Sequence, residues 1–278
     1  MKLLQFIVNT KNFVRHKWVR LTQYKSFYPM LYKSYWYSKK TNNKNKKYAN
    51  YYTAIPNVGA GIGHQMANWI AGYWFSKQFG LKFAHIPFSN ATWEEFLGFG
   101  EDEIKVQALV KEQGYKKVRL PLFDEHKEND LNLINKIIES YSTQKVVFVA
   151  EQDQFYEEHY GNIEDLQRKF YTAKARQKDQ LIFDKNAYNI AVHVRRGDIV
   201  IGQENLNPNL TMRWLANEYF ENVLRNVLPT IKTDKKIAIY LFSQGKESDF
   251  ESFKELKNLH FCLDMNAQDS FLHMVYAD

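Results

Sequence analysis

The sequence predicts an α/β fold of parallel strands joined by crossover helices. Two stretches predict it. Residues 51–86 pass from an extended apolar run, through a glycine cluster, into a helical pattern and then a short strand. That is the building block of a parallel sheet. In the last third, strand and helix patterns alternate, which is doubly wound α/β grammar.

Each element has its own signal. "QMANWIAGYWFSKQ" (65–78) reads as a helix with Met66, Ile70, Tyr73 and Trp74 on one stripe, and Gly80 is placed to end it. "LKFAHI" (81–86) and "KVVFVA" (145–150) read as strands, and residues 162–180 as helix-compatible. "YNIAVHV" (188–194) is a strong strand. "MRWLANEYFENVLRNVL" (212–228) is an amphipathic helix with Thr211 as its N-cap. "KIAIYLFS" (236–243) is a buried strand. "SDFESFKEL" (248–256) is a helix capped by Ser248, and "HFCLD" (260–264) a strand. The chain of 278 residues divides into an arm and linker (1–50), an amino-terminal α/β domain (51–185) and a second α/β domain (186–278).

Charge is unevenly spread. Residues 1–50 hold twelve Lys or Arg and no acid, and the first acidic residue is Glu94. The remainder holds 26 bases against 31 acids, so a net charge of +7 conceals a mildly acidic body. The arm interleaves bases with Phe, Trp and Tyr. That composition suits an anionic membrane surface, single-stranded nucleic acid, or a solvated leader. The acidic body argues against nucleic acid; a solvated leader stays open, and on charge alone residues 1–45 are expected at an anionic membrane. "KKTNNKNKKYAN" (39–50) reads as a linker. The apolar stretch Leu3–Val8 is interrupted by Gln5 and lacks a small-residue cleavage site, so it does not read as an export signal. No apolar run approaches the roughly 20 residues of a span. The single cysteine, Cys262, reads as a small buried residue and suits a reducing compartment. Together these give the expectation of a cytoplasmic protein, with peripheral contact at the inner membrane face as an option the arm leaves open.

Two constellations carry candidate chemistry. Gly59, Gly61 and Gly63 precede a helix, where glycines let a ligand approach backbone N–H groups; a tight strand–helix turn explains them equally well. "HVRRGD" (193–198) ends a buried strand. Alternation puts His193 and Arg195 on one face, with Arg196 opening a turn that Gly197 permits. Ligands of doubly wound sheets bind beyond the carboxyl ends of the strands. Arginines there can grip phosphate or carboxylate, and Asp198 can hold one guanidinium in place. The competing reading is a surface Arg–Asp pair of little consequence.

"HVRRGD" resembles the HxRRxD motif of the fucosyltransferase superfamily, which includes α-1,2-fucosyltransferases, core α-1,6-fucosyltransferases and the rhizobial nodulation enzyme. The glycine cluster with "HQMANWIAGYWFSKQFG" is similar to the family's Gly-x-Gly-Asn-Gln stretch and helix, with His64 in place of the usual Asn before Gln65. "IYLFSQG" resembles the second family block and "DSFLHMVYAD" the start of the third. The matches occur in family order over residues 52–278.

The resemblance implies a GT-B architecture of two Rossmann-like halves, with donor in the carboxyl-terminal half and acceptor glycan in a cleft between halves. It implies inverting, metal-independent transfer from GDP-fucose, with no other cofactor. An Asp-x-Asp motif is absent from the sequence, so arginines take the metal's role. Arg195 and Arg196 would neutralise the leaving diphosphate. Gly61, Gly63, His64, Gln65, His193, Asp198, Ser243 and Gln244 would contact or border the donor. Gln244 stands where many relatives carry an acid after Phe-Ser. Glu204, eight residues after Arg196, would be the general base. Residues 186–278 are few for a complete half, which predicts a shortened donor domain and weakened GDP-sugar binding. Two other expectations stand beside the enzyme: a non-catalytic glycan-binding relative, and a nucleic-acid-binding protein using the arm.

Overall fold

A computed structural model describes residues 47–57, 59–149, 159–200 and 208–278, with Thr10, Phe13, Val14, Lys17, Trp18, Leu21, Thr22, Lys25 and Phe27 of the arm. The protein is mixed α/β with two parallel sheets, one of four strands and one of three. It divides into two compact units, Met1–Arg176 and Gln177–Asp278.

The first unit begins before the expected boundary. Asn50 is buried; its Nδ2 donates to Tyr141 O (3.1 Å) and its Oδ1 accepts from Val146 N (3.0 Å). Tyr48 N donates to Ser142 O. The polar run 39–50 therefore does not stay a linker to its end: residues 48–50 are pinned to the fold, because Asn50 satisfies backbone groups that frame a strand start. Strands β1 (Tyr51–Thr53), β2 (Lys82–Phe83), β3 (Lys116–Arg119) and β4 (Val146–Val149) lie in the order β2-β1-β4-β3, all parallel.

Helix α1 (Ile62–Gln78) starts directly after the glycine cluster. Gly80, at φ +61°, closes it: Leu81 N donates to Ser76 O and Gly80 N to Lys77 O, a Schellman ending only a left-handed residue permits. The stripe expected to be buried is not the one that packs. Met66, Ile70, Tyr73 and Trp74 are half-buried, while Gln65, Asn68, Trp69, Gly72, Phe75 and Ser76 are buried. Close approach explains this. A Cβ on Gly72 would fall 2.6 Å from the Ala54 Cβ, so the helix presents its glycine, not its bulkiest stripe, to β1. The aromatic face is left to pack laterally, with Trp69 stacked on Tyr73 (5.0 Å).

Helix α2 (Ala91–Leu97) is capped by Asn90, whose Oδ1 accepts from Thr92 N and Trp93 N. It carries Glu94 to the buried His85. Trp69 Nε1 donates to His85 Nδ1 (3.0 Å), so the ring proton sits on Nε2, facing Glu94 Oε1 at 2.7 Å. Phe88 N also donates to Glu94. Helices α3 (Val106–Lys111), α4 (Glu128–Ser140) and α5 (Ile163–Thr172) complete the unit around a core that includes Tyr52, Phe75, Leu120, Ile134 and Phe148.

The second unit takes in the segment before its first strand. Phe183 packs on Tyr240 (4.8 Å) and His273 (5.0 Å), and Asp184 N donates to the Tyr240 hydroxyl. Strands β5 (Ala187–His193), β6 (Lys236–Ser243) and β7 (Leu259–Leu263) are parallel in that order. Alternation divides the sheet cleanly. Ala187, Ala238, Tyr240, Phe242 and Cys262 form one core, and Val194, Leu241, Phe250 and Phe253 the other. Cys262 is buried as expected, and burial pushes its thiol up to about 11.

Helix α6 (Asn217–Val227) covers one face, and α7 (Ala267–Tyr276), capped by Asn266, contacts β5. α6 starts five residues later than the sequence pattern suggests, and Thr211 does not cap it. Thr211 ends a separate single turn, Pro208–Thr211, and Ala216 in extended conformation is the N-cap. The break frees Trp214 and Asn217 for contacts described below. Ser248 is likewise not a cap. The segment Glu247–Glu255 is a 3-10 helix capped at Lys246, where Asp249 Oδ2 accepts from Lys246 N (2.7 Å), and it breaks at Phe250.

Candidate functional site

The carboxyl ends of β5 and β6 gather six of the expected site residues. Ala187 to His193 pairs with Lys236 to Phe242, which brings His193 opposite Phe242. Val194 N donates to Phe242 O (2.9 Å), extending the pairing one residue beyond the strand. Ser243 Oγ donates to Val194 O at 2.6 Å. Ser243 is buried and holds the two strand ends together.

Alternation then sorts the motif as the sequence implies. His193 and Arg195 are exposed; Val194 and Arg196 are buried. Although its edge reaches solvent, partial shielding of the ring from water, and secondarily the Arg195 charge, lower the His193 pKa from its ordinary value. Gly197 (φ +43°) turns the chain, and a Cβ there would fall 1.7 Å from Gln244 Oε1. The left-handed φ favours glycine, and the Gln244 side chain fills the space beside it.

The two arginines have different environments. Arg195 Nη2 lies 2.7 Å from Asp198 Oδ2, with a second bond from Nε, and both side chains are about half exposed (48% and 54%). Asp198 is held below its ordinary carboxylate pKa chiefly by that hydrogen bond. This is the surface pair of the competing reading, worth little in stability.

Arg196 is 6% exposed. Its guanidinium lies 4.0 Å from the centre of the Trp214 ring. Nη1 donates to Arg195 O (3.0 Å) and Nη2 to Asn217 Oδ1 (2.6 Å). Asn217 Nδ2 passes the link on to Asp249 O (2.7 Å). Burial lowers the Arg196 pKa, though such a group remains cationic at neutral pH. Among the described residues no carboxylate lies within 4.0 Å of it. Aromatic stacking and neutral acceptors orient the guanidinium, and no carboxylate among the described residues compensates its charge. A buried cation in that state favours an incoming anion.

Trp214 and Asn217 were not legible as site residues. They read as part of one continuous helix, and only the break before α6 shows that they serve Arg196.

The other expected residues lie elsewhere. Gly61, Gly63, His64 and Gln65 belong to the first unit. Gly61 is the N-cap of α1, and the space where a Cβ would stand on Gly59, Gly61 and Gly63 is open. His64 is exposed. Gln65 is committed to its own chain: Nε2 donates to Ala60 O and Ser89 Oγ, and Oε1 accepts from Ser89 N. Glu204 lies outside the described residues.

No model of a known protein family matches the chain, and no curated protein sequence matches it.

Proposed function

We propose that the protein is a glycosyltransferase of GT-B architecture that moves fucose from GDP-fucose to a glycan hydroxyl, with inversion and without a metal. The observation that carries this reading is the Arg196 guanidinium at the carboxyl end of β5, buried with no carboxylate partner among the described residues, within a parallel α/β unit where ligands bind beyond the strand ends. A nucleoside diphosphate supplies the doubly charged group that such a site favours.

The chemistry follows. The acceptor oxygen bonds to the anomeric carbon as the bond from that carbon to the diphosphate breaks. Negative charge accumulates on the departing β-phosphate. Arg196, already fixed by Trp214 and Asn217, neutralises it without reorganising. Arg195, held by Asp198, lies on the same edge, and the Gln244 side chain, packed against the Gly197 turn, borders it. Glu204 takes the acceptor proton.

A thermal-shift screen of GDP-fucose, GDP-mannose, GDP and UDP-sugars tests the reading. GDP compounds stabilise the protein, GDP-fucose is consumed in the presence of glycan, and Arg196→Met abolishes both. Glu204→Gln keeps the thermal shift and loses turnover. A chain that is stabilised by none of the GDP compounds is not a GDP-sugar enzyme.

A further inference from the structure

The carboxyl end of β7 meets the edge that carries the arginines. Asp264 is the first residue after that strand, and its N–H donates to Ser243 O (2.9 Å). Ser243 Oγ donates in turn to Val194 O (2.6 Å), so one serine ties together the ends of all three strands. β5 and β7 lie two strand spacings apart, about 10 Å. A ribose carries a base across such a span from its diphosphate. The acids of this edge differ. Asp198 holds Arg195, and Asp249 Oδ2 accepts from Lys246 N. Asp264 is exposed and takes one long bond, from Gly245 N to Oδ1 (3.4 Å). Its Oδ2 meets no donor among the described residues. The backbone there is left-handed (φ +54°), a conformation that aspartate and asparagine accept more readily than other residues with a side chain. Gln244, on the strand between, has its side chain against the Gly197 turn.

A carboxylate only accepts hydrogen bonds. Guanine presents two adjacent donors on one edge, N1–H and the 2-amino group. Adenine presents an acceptor at N1, and uracil a single N–H between two carbonyls. We propose that, on the GDP-sugar reading above, Asp264 is the residue that selects guanine, its oxygens accepting from N1–H and the 2-amino group while Arg196 holds the diphosphate. Paired bonds to a charged acceptor give such a contact both strength and a fixed geometry. An adenine in the same place would set its N1 lone pair against the carboxylate, and a uracil would leave one oxygen facing a carbonyl.

The test is calorimetric titration of the full chain with GDP, inosine diphosphate and xanthosine diphosphate. Inosine diphosphate lacks the 2-amino group, and xanthosine diphosphate has a carbonyl in its place. Wild type binds GDP at least about tenfold more tightly than either. Asp264→Asn keeps an acceptor for Gly245 N and a side chain suited to φ +54°. Its new amide donor opposes the 2-amino group but matches a carbonyl. GDP therefore weakens by about 100-fold, and xanthosine diphosphate becomes the preferred ligand. Arg196→Met weakens all three alike. A wild type that binds none of the three overturns the GDP-sugar reading, and the role of Asp264 with it. A wild type that binds GDP without discriminating overturns the role of Asp264 alone. So does an Asp264→Asn protein that keeps the wild-type preference or loses all three ligands equally.

Discussion

The Arg196 guanidinium rests on the Trp214 indole at 4.0 Å and reaches Asn217 with a 2.6 Å hydrogen bond. A cation held in this way contributes orientation at the expense of solvation. Removing the desolvated charge offsets the loss of its two hydrogen bonds to neutral acceptors. Arg196→Met is therefore expected to stay within about 1 kcal/mol of wild-type stability by chemical denaturation. It should still lose GDP binding by on the order of 100-fold, as charge-assisted bonds to phosphate disappear. Arg196→Lys keeps the charge but loses the planar fork and the stacking, and should fall between the two. A methionine variant that unfolds would assign Arg196 to structure, not to ligand binding.

His193 gives a second handle on the same edge. Partial shielding from water and the Arg195 charge both disfavour its protonated form. In an NMR titration its midpoint lies below the ordinary 6.5. Arg195→Gln moves the midpoint up but leaves it below 6.5, because the shielding, the larger cause, remains. The unfolded chain takes up this proton near 6.5 and the folded one resists it. His193 thus costs stability as pH falls from 6.5 towards its folded value. A phosphate bound at the arginine pair would relieve the repulsion and raise the midpoint. A midpoint at or above 6.5 in the free protein would show that neither partial shielding from water nor the Arg195 charge acts on the ring.

Much of the second unit was legible because its strands are long and apolar. Lys236–Ser243 and Leu259–Leu263 fall within a residue of the sequence pattern, and the alternation around Val194 put His193 and Arg195 on one face, where both are exposed. The misses have physical causes. Periodicity at 212–228 hides the break at Ala216, since Met212, Trp214 and Leu215 keep helical spacing while serving a turn. On α1 the burial is set by where Gly72 lets the helix approach Ala54, a tertiary contact that hydrophobicity does not encode. The ranking of the two arginines was equally hidden. The sequence gives both arginines the same role, but only packing reveals that Asp198 already neutralises Arg195 while Arg196 is buried without a carboxylate partner among the described residues.

Glu94 links the first unit to acid. Burial raises its pKa, but the bonds from His85 and Phe88 together outweigh that and leave the carboxyl below its ordinary 4.5. A depressed carboxyl stabilises the fold above its unfolded value, and that contribution is lost as pH falls below 4.5 through the lower folded value. Glu94→Gln should lower stability at pH 7 by about 1–2 kcal/mol, because a charge-assisted bond to buried His85 becomes a neutral one. It should also flatten the loss of stability between pH 5 and about 3. Wild type and variant with equally steep acid limbs would show that the His85–Glu94 contact carries no linkage.

The same histidine makes Gly100 irreplaceable. A Cβ there would fall 2.3 Å from His85 Cδ2 and Nε2. His85 cannot retreat: Trp69 Nε1 holds Nδ1 on one side, Glu94 holds Nε2 on the other, and the ring is fully buried. Gly100→Ala should therefore cost about 1–3 kcal/mol, the usual cost of forcing extra volume into a packed interior. Gly63→Ala is the contrast. Gly63 lies in the first turn of α1 with open space around a new Cβ, so alanine should be neutral or stabilise by up to about 1 kcal/mol through helix propensity. Urea denaturation of both variants separates the cases, and a Gly100→Ala protein as stable as wild type would mean that the His85 network yields where the structure holds it fixed.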